Sequence, residues 1–168
     1  APLPLLRGVG GLLDSVSGAD CLVYGIGNVG RQDDGLGWAV VDWLEETGRC
    51  GEATLVRGYQ LVLEDAELVS RFRRVLFVDA TKDDAVATVA VTRPEPSYDV
   101  PFSSHALTVP TVLATCRLCF EVLPEAWLLA LRGHSWELEV GLTDGARESL
   151  AAVTDSGPDL TERADVDS

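Results

Sequence analysis

Three side chains have types and positions that could do chemistry together: Asp34, Asp79 and His105. Two carboxylates and one imidazole form an O/O/N set that suits a divalent transition metal with open coordination positions, or general acid and base work. Asp34 stands in the loop after a short apolar run, Cys21–Ile26, and Asp79 ends the run Val75-Leu-Phe-Val78. In a doubly wound sheet, ligands bind beyond the carboxyl ends of strands where the strand order reverses, and the common order 2-1-3-4-5 sets strands one and three side by side there. His105 precedes a predicted third helix, and its loop leaves the same edge if 85–92 is the next strand or a hairpin excursion. A plainer reading stays open: a carboxylate ending a buried strand can be a helix cap or a partner for a backbone N–H, and a lone histidine in a polar loop can be simply solvated. Asp33 is read as a cap for the first helix, and His134, in Arg132-Gly-His-Ser135, as a surface residue.

Gly25-Ile-Gly27-Asn-Val-Gly30 matches the G-x-G-x-x-G pattern that cradles a dinucleotide pyrophosphate on a helix amino terminus. Its context argues against a nucleotide. Arg31-Gln-Asp-Asp34 separates the glycines from the helix and sets two carboxylates where a pyrophosphate needs neutral or cationic surroundings, and Arg57-Gly-Tyr-Gln60 supplies no acid for a ribose. Gly35 and Gly37 flank Asp34 closely enough to let another molecule's backbone approach. Cys116-Arg-Leu-Cys119 is a C-x-x-C inside an amphipathic helical pattern and reads as core packing. The chain contains no G-x-S-x-G elbow, H-E-x-x-H pair or P-loop.

The elements that must position these residues alternate along the chain. Strands are predicted at 21–26, 53–57, 75–79, 85–92, 126–131 and 136–140, and helices from Leu36 to near Gly48, over 61–72, from Thr108 through Phe120, and over 142–153. Such alternation specifies a three-layer α/β domain, a mostly parallel doubly wound sheet of about five strands with helices on both faces. Residues 1–20 read as a loose lead-in, 21–154 as a single domain, and 155–168, with five acids against Arg163, as a disordered tail.

At 168 residues, with 46% hydrophobic and 24% charged side chains, the chain fits one globular core. Its net charge of -14 repels phosphate backbones and anionic lipid, so neither nucleic acid nor a membrane surface is an expected partner. The longest apolar run, Ala126–Leu131, falls far short of the roughly 18 residues of a membrane span. Four cysteines, at 21, 50, 116 and 119, are too few for a disulfide scaffold, and no secretory pattern opens the chain. The expected compartment is the reducing cytoplasm.

The combination Gly25-x-Gly-Asn28, Arg31-x-Asp-Asp-Gly-x-Gly37, Phe77-Val-Asp-Ala80 and Ser104-His105 resembles the NiFe-hydrogenase maturation endopeptidases, over about residues 21–153. Gly58-Tyr-Gln-Leu61 and Gly141-Leu-Thr143 sit where that family places glycine-led turns. The resemblance implies an aspartic-type peptidase that removes the carboxyl-terminal extension of a hydrogenase large-subunit precursor after nickel insertion. It implies that Asp34, Asp79 and His105 engage nickel already seated in that partner, so that the enzyme owns no cofactor, and that Asn28, Gly35, Gly37, Gly58 and Gln60 contact the substrate. Two other functions remain open from the residues: a chaperone that grips the metal-loaded subunit without cutting it, and a nucleotide-binding protein using Gly25, Gly27 and Gly30.

Overall fold

A computed structural model describes residues 8–98 and 107–155. Its centre is β1 (Cys21–Ile26), buried at all six positions, as expected of a strand covered on both faces. β1 pairs in parallel with β2 (Thr54–Gly58) on one side and with β3 (Arg74–Thr81) on the other. β5 (Glu125–Arg132) continues the parallel sheet beside β3, and β4 (Val89–Thr92) closes the edge antiparallel to β5. The order is therefore β2-β1-β3-β5-β4. The expected neighbourhood of strands one and three holds, while the last two strands exchange places because β4 is a short return strand on the outer edge of β5.

Helices cover both faces. On one, α2 (Leu36–Thr47) and α5 (Asp144–Thr154) bury Leu36, Val40, Val41, Leu44 and Val153 against Val23, Leu76, Trp127 and Leu129. On the other, α3 (Glu64–Ser70) and α4 (Val109–Phe120) bury Val69, Val112, Leu113 and Cys116 against Leu22, Tyr24 and Phe77. The period-3.6 pattern of each helix thus meets one face of the same strands.

Three sequence expectations are corrected. The lead-in expected over 1–20 is not loose throughout: Gly8–Ser15 is a helix, α1, and Leu12, Leu13 and Val16 are fully buried in the α2 and α5 face. Burying side chains of that size stabilises by roughly 1.5–3 kcal/mol each, enough to order a short helix that propensity alone would not. The strand expected at 136–140 is an exposed loop. Its apolar and acidic residues do alternate, but a strand so soon after β5 must pair with β5, and β3 and β4 already occupy both of its edges. The helix expected over 61–72 is shorter, because Leu61 bridges to Leu107 and the Asp65 carboxylate accepts the Val62 N–H and starts the helix later. Residues 1–7, the tail from 156 on, and His105 lie outside the described residues.

Candidate active site

Asp34 and Asp79 come together at the carboxyl edge of the sheet, beyond adjacent β1 and β3. The chain leaves β1 through Gly27 and Asn28, makes kinked 3-10 turns over Val29–Gly35, and enters α2. Gly27 packs so tightly on the Asp34 carbonyl that a Cβ there would collide with it, and the Asn28 N–H donates to that same oxygen at 3.0 Å. A Cβ at Gly37 would run into the Ile26 and Val78 carbonyl oxygens. The bare helix start therefore sits directly on the ends of both central strands, and it carries Asp34 toward Asp79.

Burial dominates the electrostatics of the pair. Asp79 is pushed up to about 7 by burial, opposed by the Ala80 N–H that its Oδ1 accepts at 2.8 Å and reinforced by the like charge of Asp34. Asp34 is raised by burial too, partly offset by the Asn28 N–H and by the charges of Arg31 and Lys82. Near neutral pH Asp79 therefore keeps part of its proton, and Asp34 is the carboxyl that nearby cations help to ionise. Asp79 and Gln60 also line a cavity of about 360 Å³, together with Ile26, Leu61, Val109 and Leu128. Among the described residues, no group of three or more His, Cys, Asp or Glu side chains stands close enough to hold a metal ion. The pair supplies two oxygen donors, and a third ligand has to come from elsewhere.

Asp33 is corrected. Gly35 precedes α2 as its N-cap and offers no side-chain cap, and the Asp33 carboxylate instead reaches across to the loop after β5. It is fully buried and accepts four hydrogen bonds: from the His134 and Ser135 N–H groups, and from the Thr143 N–H and hydroxyl. Burial alone would raise its carboxyl, but these donors together hold it below the usual range. The neighbouring turn joins in, with the Gln32 N–H donating to the Glu139 carbonyl, Ser135 Oγ bonding the Gln32 side chain, and Arg31 reaching the Trp136 carbonyl. Gln32 itself sits at φ 48°, ψ -112°, a strained conformation for a residue with a side chain, and these tethers hold it there. Sequence reasoning missed this clamp. Its only signal is the doubled Asp33-Asp34 beside Gly141-Leu-Thr143, and nothing in their spacing says that they touch.

The expected substrate contacts divide. The Asn28 side chain accepts the Gly30 N–H, Gly35 packs on Val29, Gly37 on the strand ends, and Gly58 against the Tyr24 hydroxyl while its carbonyl accepts from Gly27 and Trp38. These four pack against the loop and the strand ends that build the site. Gln60 is the one of the five that lines the cavity. The glycine loop spends most of its amides in the same way, Gly27 on Gly58, Asn28 on Asp34, Gly30 and Arg31 on Asn28, which takes these four donors from any pyrophosphate. His134 is exposed as expected, and Cys116 is buried with its thiol toward the Ala66 carbonyl.

No protein-family model matches the chain, and no curated protein matches it in sequence. Solved structures do match it in fold. The hydrogenase maturating endopeptidase HybD from E. coli superposes with a TM-score of 0.66 at 23% identity, covering 84% of this chain and 92% of that one. The NiFe-hydrogenase maturation protease HycI from Thermococcus kodakarensis gives 0.67 at 19% identity, covering 86% and 94%. A hydrogenase 2 maturation peptidase from a Thaumarchaeota archaeon gives 0.58 at 20%, covering 85% and 95%. The chain has the fold of these proteins over most of its length.

Proposed function

We propose that the protein is an endopeptidase that removes the carboxyl-terminal extension of a NiFe-hydrogenase large-subunit precursor once nickel is in place. The observation that carries this reading is the half-buried Asp34 and Asp79 pair, whose like charges oppose each other and in which no cation among the described residues counters Asp79. A cation arriving on the substrate relieves both carboxylates at once, so a metal-loaded precursor is favoured over an empty one. The pair offers oxygen donors to that nickel, with His105 as the nitrogen donor that completes the set, and the enzyme needs no cofactor of its own. The four cysteines are free thiols, which suits work in the reducing cytoplasm.

Cleavage is of the aspartic type. Asp34, the carboxylate that Arg31 and Lys82 help to ionise, takes a proton from the attacking water. The water oxygen bonds to the scissile carbonyl carbon, which the nickel or His105 polarises, the C–N bond breaks, and the proton passes to the leaving amine. The test is mass spectrometry of nickel-loaded and nickel-free precursor incubated with the protein and with its Asp34→Asn variant. Loss of a carboxyl-terminal peptide is expected only with nickel and an intact Asp34. Cutting by Asp34→Asn would sink the mechanism, and capture of an uncut precursor would turn the reading to a chaperone.

A further inference from the structure

We infer that the loop after β5, residues 134–143, is a braced docking surface on which Leu138 and Val140 seat apolar side chains of the protein that presents the scissile peptide. The inference rests on the reading of the protein as a peptidase of a folded precursor. Leu138 is 80% exposed and Val140 82% exposed, among the most exposed large apolar side chains of the described residues. Exposed side chains of this kind are ordinary singly, and usually stand on loops free to turn them away. Here the loop is pinned at both ends and in the middle: His134, Ser135 and Thr143 bond Asp33, the Trp136 carbonyl accepts from Arg31, and Glu139 accepts from Gln32 through both its backbone and its side chain. Lys82 also stacks on the Trp136 ring at 5.0 Å. The bracing holds Leu138 and Val140 in water at a cost, with the entropy of ordering already spent before any partner arrives.

The surface adjoins the loop that carries Asp34. Val140 lines a cleft of about 170 Å³ with Val29, Gly35, Ala39 and Leu142, so an apolar side chain seated there touches Gly35, the chain neighbour of Asp34. Charge selects the partner further. Arg31 and Lys82 are engaged with Trp136, whereas Glu137 and Glu139 are exposed and enter no ion pair among the described residues. The occupant that fits is a protein surface bearing an apolar residue flanked by lysine or arginine, which also suits a chain of net charge -14.

The test compares cleavage kinetics and titration calorimetry of the nickel-loaded large-subunit precursor from the same organism with three proteins: the unaltered enzyme, the double variant Leu138→Ser, Val140→Ser, and Leu118→Ser. Leu118 is 71% exposed near the carboxyl end of α4, at the opposite edge of the sheet, and controls for lost apolar surface in general. The double variant should raise KM and Kd about tenfold or more and leave Leu118→Ser indistinguishable from the parent. Unchanged KM and Kd in the double variant, or an equal loss in Leu118→Ser, would overturn the docking surface while cutting by the parent upheld the peptidase reading. If the parent binds without cutting, the peptidase reading falls and Kd still decides the surface. A parent that neither binds nor cuts overturns both.

Discussion

The Asp33 carboxylate accepts both hydrogen bonds that Thr143 can donate, from its N–H at 2.9 Å and from its hydroxyl at 2.7 Å. Those two bonds join the loop before α2 to the residue that caps α5, since the Thr143 hydroxyl oxygen also accepts the Ala146 N–H. With the His134 and Ser135 amides they make one buried anion the common fastener of two loops at the carboxyl edge of the sheet.

Replacing that anion should cost more than any surface charge. Asp33→Ala leaves three backbone N–H groups and a hydroxyl without their acceptor, and the expected loss is about 3 kcal/mol or more, read as a fall in the urea midpoint. The pH dependence has a definite sign. The folded carboxyl lies below its unfolded value, so its contribution is fully present above about pH 4 and is lost as pH falls through the lower folded value. A gap between parent and Asp33→Ala that stayed constant from pH 7 down to pH 2 would contradict the assignment.

Asp79 carries the opposite sign. Its folded carboxyl is pushed up to about 7 by burial, above an unfolded aspartate, so the folded chain binds the extra proton and stability falls as pH rises from about 4 to about 7. Asp79→Asn keeps the volume and removes the half-buried charge. The variant should therefore gain on the order of 2–4 kcal/mol over the parent at pH 8, much less at pH 5, and lose cleavage. Thermal unfolding at the two pH values checks it, and a variant no more stable than the parent at pH 8 would refute the claim that burial penalises this carboxylate.

The two carboxyls should report on each other. Asp34 raises Asp79 through its charge, so Asp34→Asn should shift the Asp79 titration downward, measured from its side-chain carboxyl carbon by NMR. An unmoved Asp79 would mean that burial alone sets its value and that the pair does not act as a unit.

Much of this was legible in the sequence, and for physical reasons. Val75-Leu-Phe-Val78 reads as a strand buried on both faces, and a carboxylate that ends such a strand of a parallel sheet stands at the ligand-binding edge. Asp34 was placed beside it by the short connection to Leu36, where helical spacing begins. The clamp at Asp33 was hidden because its partners lie about a hundred residues away, and hydrogen bonds at that separation leave no period in the chain. The alternation in Trp136–Val140 misled for a related reason: period two describes side chains, whereas a strand also needs a free edge, which β5 does not have. Residues 8–15 were misread because Gly8-Val-Gly-Gly11 lowers helix propensity, while the burial of Leu12, Leu13 and Val16 that overrides it is a tertiary effect.

Gly37 offers the sharpest steric test of how the site is assembled. The helix start that follows Asp34 lies on the Ile26 and Val78 carbonyl oxygens, backbone atoms of two central strands that cannot step aside as a flexible side chain would. In Gly37→Ala the added methyl must lift α2 from the sheet, opening the contacts of Leu36 and Val40 and drawing Asp34 away from Asp79. The expected cost is about 1–3 kcal/mol, with loss of cleavage larger than the stability change explains, because the residual folded population would hold its two carboxyls further apart. Gly48→Ala is the matched comparison: Gly48 has open space around its Cβ position and sits at φ 66°, so the same substitution strains only the helix end. Cleavage per folded molecule should therefore fall in Gly37→Ala and persist in Gly48→Ala, and equal activity in the two would show that the seating of α2 on β1 and β3 does not set the distance between Asp34 and Asp79.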